Sequence, residues 1–473
     1  MHSPVKVVIT TVALAAMLLV SASGAEADGS VDERIRNLEE LVRRQQEEIE
    51  SLREGLAVQQ QASDSLESEL DRFLSKTEDA NFWQQPNTMR AFWKNGLKFE
   101  TADGKFKASV FGRVYFDMAI YDEDWDELSA PTPGPSAKDV IKYDTQFYNE
   151  VKTRTARLGF DTTFYTNSYA KVEIDFAGSK TALKDVYMEQ KGIPVVGAVR
   201  VGHFKEPMGL EELTSSRYIT FMERAMPIGA FTPSRNVGLM LHDKAFEDRL
   251  QWAGGVFATT DDQANGRTDP SITARISGTP YKSEDGSMFL HLGISGSFRH
   301  AADDKWRIKS TPEARTSLSV VDTGDITADK AMILGLEAAF VAGPFSLQAE
   351  YLTMDLDSED FDDPRFDGWY ILASYFLTGE TRAYKSGAFD RVKVKGNLND
   401  PDAGGPGAVE LAARLSNIDL DDALVEGGKA TNWTLGLNYY LNPHMRIMFN
   451  YVLSDIDDVG NLDVFEMRFQ FDF

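Results

Sequence analysis

The chain contains no cysteine in 473 residues. An exported protein of this composition holds its fold without disulfides, which excludes the small stapled scaffolds and paired-Cys redox or zinc sites. It also has no apolar run of transmembrane-helix length. The longest, Val7 to Val20, is too short for a comfortable span. The six histidines, His2, His203, His242, His291, His300 and His444, show neither metal-ligand spacing nor a partnered nucleophile. No phosphate-cradling Gly loop is present. The acidic run Asp355 to Asp363 lacks the central Gly and terminal Glu of a calcium loop. The reading is therefore of a non-enzyme, with no catalytic residue, no metal and no cofactor. Positive charge is scarce as well: the formal net charge of −25 excludes nucleic acid as a partner.

What is present falls into parts. His2 and Lys6 precede the apolar run, and small residues lead to Ala25-Glu26-Ala27, the shape of a signal-peptidase site. Residues 1–27 are read as a cleaved signal peptide. From Val31 to Phe73 a three-four spacing runs through Ile35, Leu38, Val42, Ile49, Leu52, Leu56, Leu66 and Leu70, with no Pro and only Gly55 to interrupt it. That seam predicts an α-helical coiled-coil stalk over 28–78, about 65 Å long at 1.5 Å per residue, in the periplasm. Ile35, Val42 and Ile49 at a with Leu38 and Leu52 at d lean to a dimer, a lean that Gln45 and Gln59 at d weaken. Residues 79–96 are read as a linker and 97–473 as the main domain.

In that domain the period changes from seven to two. The last nine residues, FEMRFQFDF, set Phe465, Met467, Phe469, Phe471 and Phe473 on one side of a strand and Glu466, Arg468, Gln470 and Asp472 on the other. Phe106 to Ile120 alternates in the same way, and the pattern recurs in sixteen segments through Val464 to Phe473. Charges such as Arg157, Asp161, Lys171, Glu173, Asp175, Arg275, Arg414, Arg446 and Arg468 fall consistently opposite the apolar side. Connectors at Thr166-Asn167-Ser168, Gly343-Pro344 and Asn442-Pro443 are tight, and most of the others are long. A soluble sandwich can carry charges on its outer faces. Sixteen strands, an even number, with the signal segment and alternating connectors point instead to an all-β, 16-stranded antiparallel transmembrane barrel in the bacterial outer membrane.

Several stretches resemble the phosphate-selective porin O and P family of bacterial outer membranes. They are VRVGHFKEPMGLEELTSSRYITFMERAMPIGAFTPS (Val199 to Ser234), Phe376 to Tyr384, Gly407 to Ser416, Leu435 to Pro443 and the closing Arg468 to Phe473. The resemblance covers residue 97 to the end and leaves out the stalk. It implies a homo-oligomer, a trimer of water-filled pores. It also implies loops folded inward to constrict each pore, here Lys205 to Asn236, His300 to Asp329 and the long periplasmic connector Thr378 to Gly405. Phe473 then resembles the signal read by the barrel-assembly machinery.

Inside the acidic chain these segments carry local basic charge. Arg217 and Arg224 lie in the first, Lys305, Arg307 and Lys309 in the second, and Arg382, Lys385, Arg391 and Lys393 in the third. Glu206, Glu211, Glu212 and Glu223 offset the first. Low-dielectric walls focus field lines, so a few cations at a constriction can set ion sign. These residues, with the lumen arginines Arg113, Arg157, Arg275 and Arg414, are the candidates for anion selectivity, or for bracing pairs across the lumen. The expected function is passive diffusion of small hydrophilic solutes, anion-favouring, with phosphate among them. The alternatives are a cation-favouring general porin and an envelope tether, its barrel anchored in outer-membrane lipid and its stalk reaching the cell wall.

Overall fold

The computed structural model describes residues 88–125, 149–178, 181–259, 269–301, 304–314, 318–402 and 404–473, with scattered positions between 36 and 69. The expected signal segment 1–27 and much of the seam lie outside the described residues. Two units separate, 1–85 and 86–473. In the first, the described positions between 36 and 69 are helical, with Arg44 and Glu40 paired one turn apart at 2.9 Å. Val42, Ile49, Leu52, Leu56 and Leu66 are all exposed there.

The second unit opens with a ribbon, β1 (Met89–Trp93) and β2 (Leu97–Thr101). Thus part of the stretch read as linker is paired strand. Sixteen strands follow. They are β3 (Phe106–Trp125), β4 (Glu150–Phe164), β5 (Ser168–Asp175), β6 (Ala182–Ile193), β7 (Gly197–Lys205), β8 (Arg235–Ala245), β9 (Leu250–Thr259) and β10 (Asp269–Lys282). The second half is β11 (Met288–His300), β12 (Lys330–Ala342), β13 (Phe345–Asp357), β14 (Arg365–Phe376), β15 (Ala408–Asp422), β16 (Val425–Asn442), β17 (Met445–Ile456) and β18 (Gly460–Asp472). Each pairs antiparallel with the next, and β18 closes on β3 from Gly460 opposite Trp125 to Asp472 opposite Arg113. The result is a closed 16-stranded barrel. Below that seam β2 takes over the same edge of β3, with Leu97 opposite Val110.

Burial is inverted relative to a water-soluble protein. On β18 Phe469 and Phe471 are 47% and 43% exposed, whereas Glu466, Arg468 and Asp472 are each 1% exposed. An apolar outer belt around a polar lumen is the arrangement that acyl chains stabilise, because closure leaves no unpaired edge in lipid. At the lower end most connections are tight turns, the exception being 377–407; the upper end carries most of the long loops.

The lumen is not empty. The first inward segment, 206–234, carries the short helices α1 (Leu210–Leu213) and α2 (Met226–Phe231). Its Met208, Phe221, Ile228 and Phe231 form one apolar core with Ile308, Val321 and Ile326 of the second segment and Leu352, Met354, Ile418 and Val452 of the wall. Buried carboxylates fix the segments. Glu350 accepts from the amides of Leu210 and Glu211 at 2.8 and 2.7 Å. Glu313 accepts from Arg414, Ser416, Thr434 and the Met226 amide. The inward segments therefore fill the side of the lumen bounded by β12–β18, and the side bounded by β3–β7 stays open.

Candidate pore lining and neck

The open side is a cavity of about 770 Å³ whose lining includes twelve Lys and Arg but only four carboxylates, Glu173, Asp185, Glu212 and Glu223. Strand alternation brings Arg113, Arg157, Lys171 and Arg468 inward from β3, β4, β5 and β18. Two β-bulges add to them. The β3–β4 register slips between Tyr115 and Phe116, skipping Arg154, and the β5–β6 register slips at Glu173, opposite Lys184-Asp185. A bulge places two consecutive side chains on one face. Arg154 and Lys184 accordingly line the cavity, although strict alternation from Arg157 or Asp185 points them at lipid.

Each of the four carboxylates is shared by at least two cations. Glu173 serves Arg113, Arg157 and Lys171 at 2.5, 3.5 and 3.4 Å. Asp185 serves Lys171 and Arg235 at 2.6 and 2.7 Å. Glu223 bridges Arg154 and Arg468 at 2.8 and 2.9 Å, and Glu212 bridges Lys205 and Arg224 at 3.0 and 3.1 Å. Sharing leaves the cavity positive on balance. Fields of this kind, focused by low-dielectric walls, raise local counter-ion concentration by about 10- to 1000-fold.

A second cavity, of about 560 Å³, lies toward the lower end and is lined by Lys98, Arg391 and Lys393 among others. Lys171 and Arg217 line both cavities, which sets the neck between the β5 wall and the first inward segment. Arg217 makes no ion pair among the described residues. Its guanidinium lies over the rings of Tyr218 and Phe111, 5.2 and 5.9 Å from their centroids, and its Nε donates to Ser215 Oγ at 3.4 Å.

The sequence-derived residues divide in the structure. Arg113, Arg157, Arg217, Arg224, Arg307 and Lys309 line the upper cavity, and Arg391 and Lys393 the lower. Arg391 is held to Asp472 by two bonds of 2.7 and 3.1 Å. Arg307 is held to Asp322 by two of 2.8 Å. Burial pushes the Asp322 carboxyl up, but Arg307 and the Gly324 amide outweigh it and hold it below the usual carboxylate range. Arg275, Arg382 and Arg414 line neither cavity. Arg275 binds Glu337 and the Gly387 carbonyl, Arg382 binds Gln348 over the Phe389 ring, and Arg414 binds Glu313 and Glu211. These three brace the inward segments. Lys305 and Lys385 are exposed and outside both linings.

A signal for the braced side does exist in the sequence. In the upper part of β18 the inward phase turns apolar, at Leu462 and Val464, before becoming Glu466 and Arg468. Wall positions that face an apolar plug lose their charges, and those that face water keep them.

The family model described as phosphate-selective porin O and P matches residues 137–473. An uncharacterized protein of Caulobacter vibrioides is 29% identical over 376 residues, covering 77% of this chain and 71% of the relative. Porin O of Pseudomonas aeruginosa is 26% identical over 407 residues, covering 78% and 87% respectively. Among solved structures, a loop L8 deletion mutant of OmpT, an outer membrane protein of Vibrio cholerae, aligns with a TM-score of 0.49 at 13% identity. That alignment covers 78% of this chain and all of the other.

Proposed function

The chain belongs to the phosphate-selective porin O and P family and is an outer-membrane channel; on that premise we propose that it favours small anions, phosphate among them, as passively diffusing solutes. The carrying observation is the lining of the upper cavity, in which every carboxylate is already shared between cations while Arg217 at the neck makes no ion pair among the described residues. A guanidinium free of ion pairing can present parallel N–H donors to a phosphate or release a chloride quickly. Neither behaviour suits potassium, because cations outnumber carboxylates in both linings, twelve to four in the upper and five to two in the lower, where the carboxylates are Asp161 and Asp390. The family also supports a homo-oligomer, read here as a trimer with one pore per chain.

The test is the reversal potential of the purified protein in a planar bilayer under a potassium chloride gradient, repeated with added phosphate. A chloride-favouring sign with reduced chloride current in phosphate supports the reading. A potassium-favouring sign overturns it.

A second role is favoured by the exposed helical seam of Val42, Ile49, Leu52, Leu56 and Leu66. Apolar seams of this width pair with copies of themselves. The stalk would then join the protomers and reach toward the cell wall, with the barrel as anchor. Cells carrying a 31–73 deletion should lose envelope spacing if this role is real and keep it if the stalk is dispensable.

A further inference from the structure

We infer that the lower cavity is a binding site for a monocyclic aromatic carboxylate, an inference that rests on the anion-favouring reading above. Three rings, Phe111, Tyr169 and Tyr218, line this cavity beside five cations, which outnumber its two carboxylates, Asp161 and Asp390. Phosphate and chloride have no use for rings. The rings and cations also alternate in space. Arg391 lies 5.3 Å from the Tyr218 centroid, Arg217 5.2 Å from Tyr218 and 5.9 Å from Phe111, and Lys171 5.3 Å from Phe111. The order is therefore cation, ring, cation, ring, cation. Such a row offers flat guanidinium and ring faces for stacking, with positive charge beside each face.

The row is fixed in place. A Cβ on Gly159 would lie 2.3 Å from the Phe111 ring, so the tip of the ring sits against β4 in the space the missing side chain leaves. Arg391 is held by Asp472 at 2.7 Å. Three cations of the lining, Lys98, Arg217 and Lys393, make no ion pair among the described residues and are available to a carboxylate. Tyr169 and Asn95 add polar groups for a ring substituent. The cavity volume of about 560 Å³ falls in the range of pockets that hold small organic ligands, far larger than an inorganic anion needs.

The experiment compares benzoate with cyclohexanecarboxylate, which matches it in charge and nearly in size but has no π face. Each is titrated against the chloride current of the full-length protein in planar bilayers. Benzoate is expected to reduce the current at about 3- to 30-fold lower concentration, the range set by one or two ring contacts with cations. Tyr218→Leu, and independently Phe111→Leu, should shrink that ratio toward one. Equal potency of the two carboxylates on a channel that remains chloride-favouring overturns the site and leaves the anion reading standing. A potassium-favouring channel overturns both.

Discussion

Two arginines show how differently one residue type behaves in this lumen. Arg217 stands at the neck without an ion pair among the described residues, and Arg414, 1% exposed, is held between Glu313 and Glu211. Arg217→Gln should therefore fold normally and lower the chloride-to-potassium permeability ratio several-fold, read from the reversal potential. Arg414→Gln should instead destabilise by about 3–5 kcal/mol, because two buried carboxylates lose their partner. Its measure is the temperature at which the folded band is lost on a gel, and an unshifted band would remove the bracing role. Sequence alone made both candidates for anion selectivity, Arg217 in an inward segment and Arg414 on the inward phase of a strand. What separates them is the plug, whose contacts join positions some two hundred residues apart.

At the scale of elements, the ladder of the second inward segment gives a paired comparison. Lys309 lines the upper cavity and Lys305 does not. Lys309→Gln should reduce anion preference, and Lys305→Gln should leave the reversal potential where it is. The same segment is tied by Arg307 to Asp322, whose carboxyl titrates below its ordinary range. The stabilisation from that pair is fully present above the unfolded Asp value of about 3.9 and is lost as pH falls through the lower folded value. Amide hydrogen exchange across 305–327 should quicken only below that range, and exchange unchanged at low pH would mean the pair does not hold the ladder. The strands themselves were legible: all sixteen alternating segments fall on barrel strands. The bulges at Arg154 and Lys184 were not, because one inserted residue leaves no mark in composition and reverses the expected face.

For the whole molecule, a net charge of −25 coexists with a positive path. Acidic residues crowd the upper rim at Asp355, Asp357, Asp360, Asp362 and Asp363, outside the linings of both cavities. The field of the path is short-ranged in salt. Anion preference should be strongest near 0.1 M and weaken toward 1 M, where the Debye length falls from about 10 Å to about 3 Å. A preference independent of salt would point to steric selection in place of electrostatic focusing.

The sequence by itself determined the barrel. A two-residue period is a local property, and its repetition with charges on the inward phase admits one environment, lipid outside and water or polar protein inside. With the resemblance marking the inward segments, it also showed local basic charge in the second and third of them within an acidic chain. Only the tertiary structure decided which of those charges meet the pore. Arg275 and Arg414 share type and phase with Arg113 and Arg157, but the inward segments cover the first two and tie them to buried Glu337 and Glu313. Whether an inward cation is free depends on what packs against it from elsewhere in the chain, and that is a long-range fact no local period records.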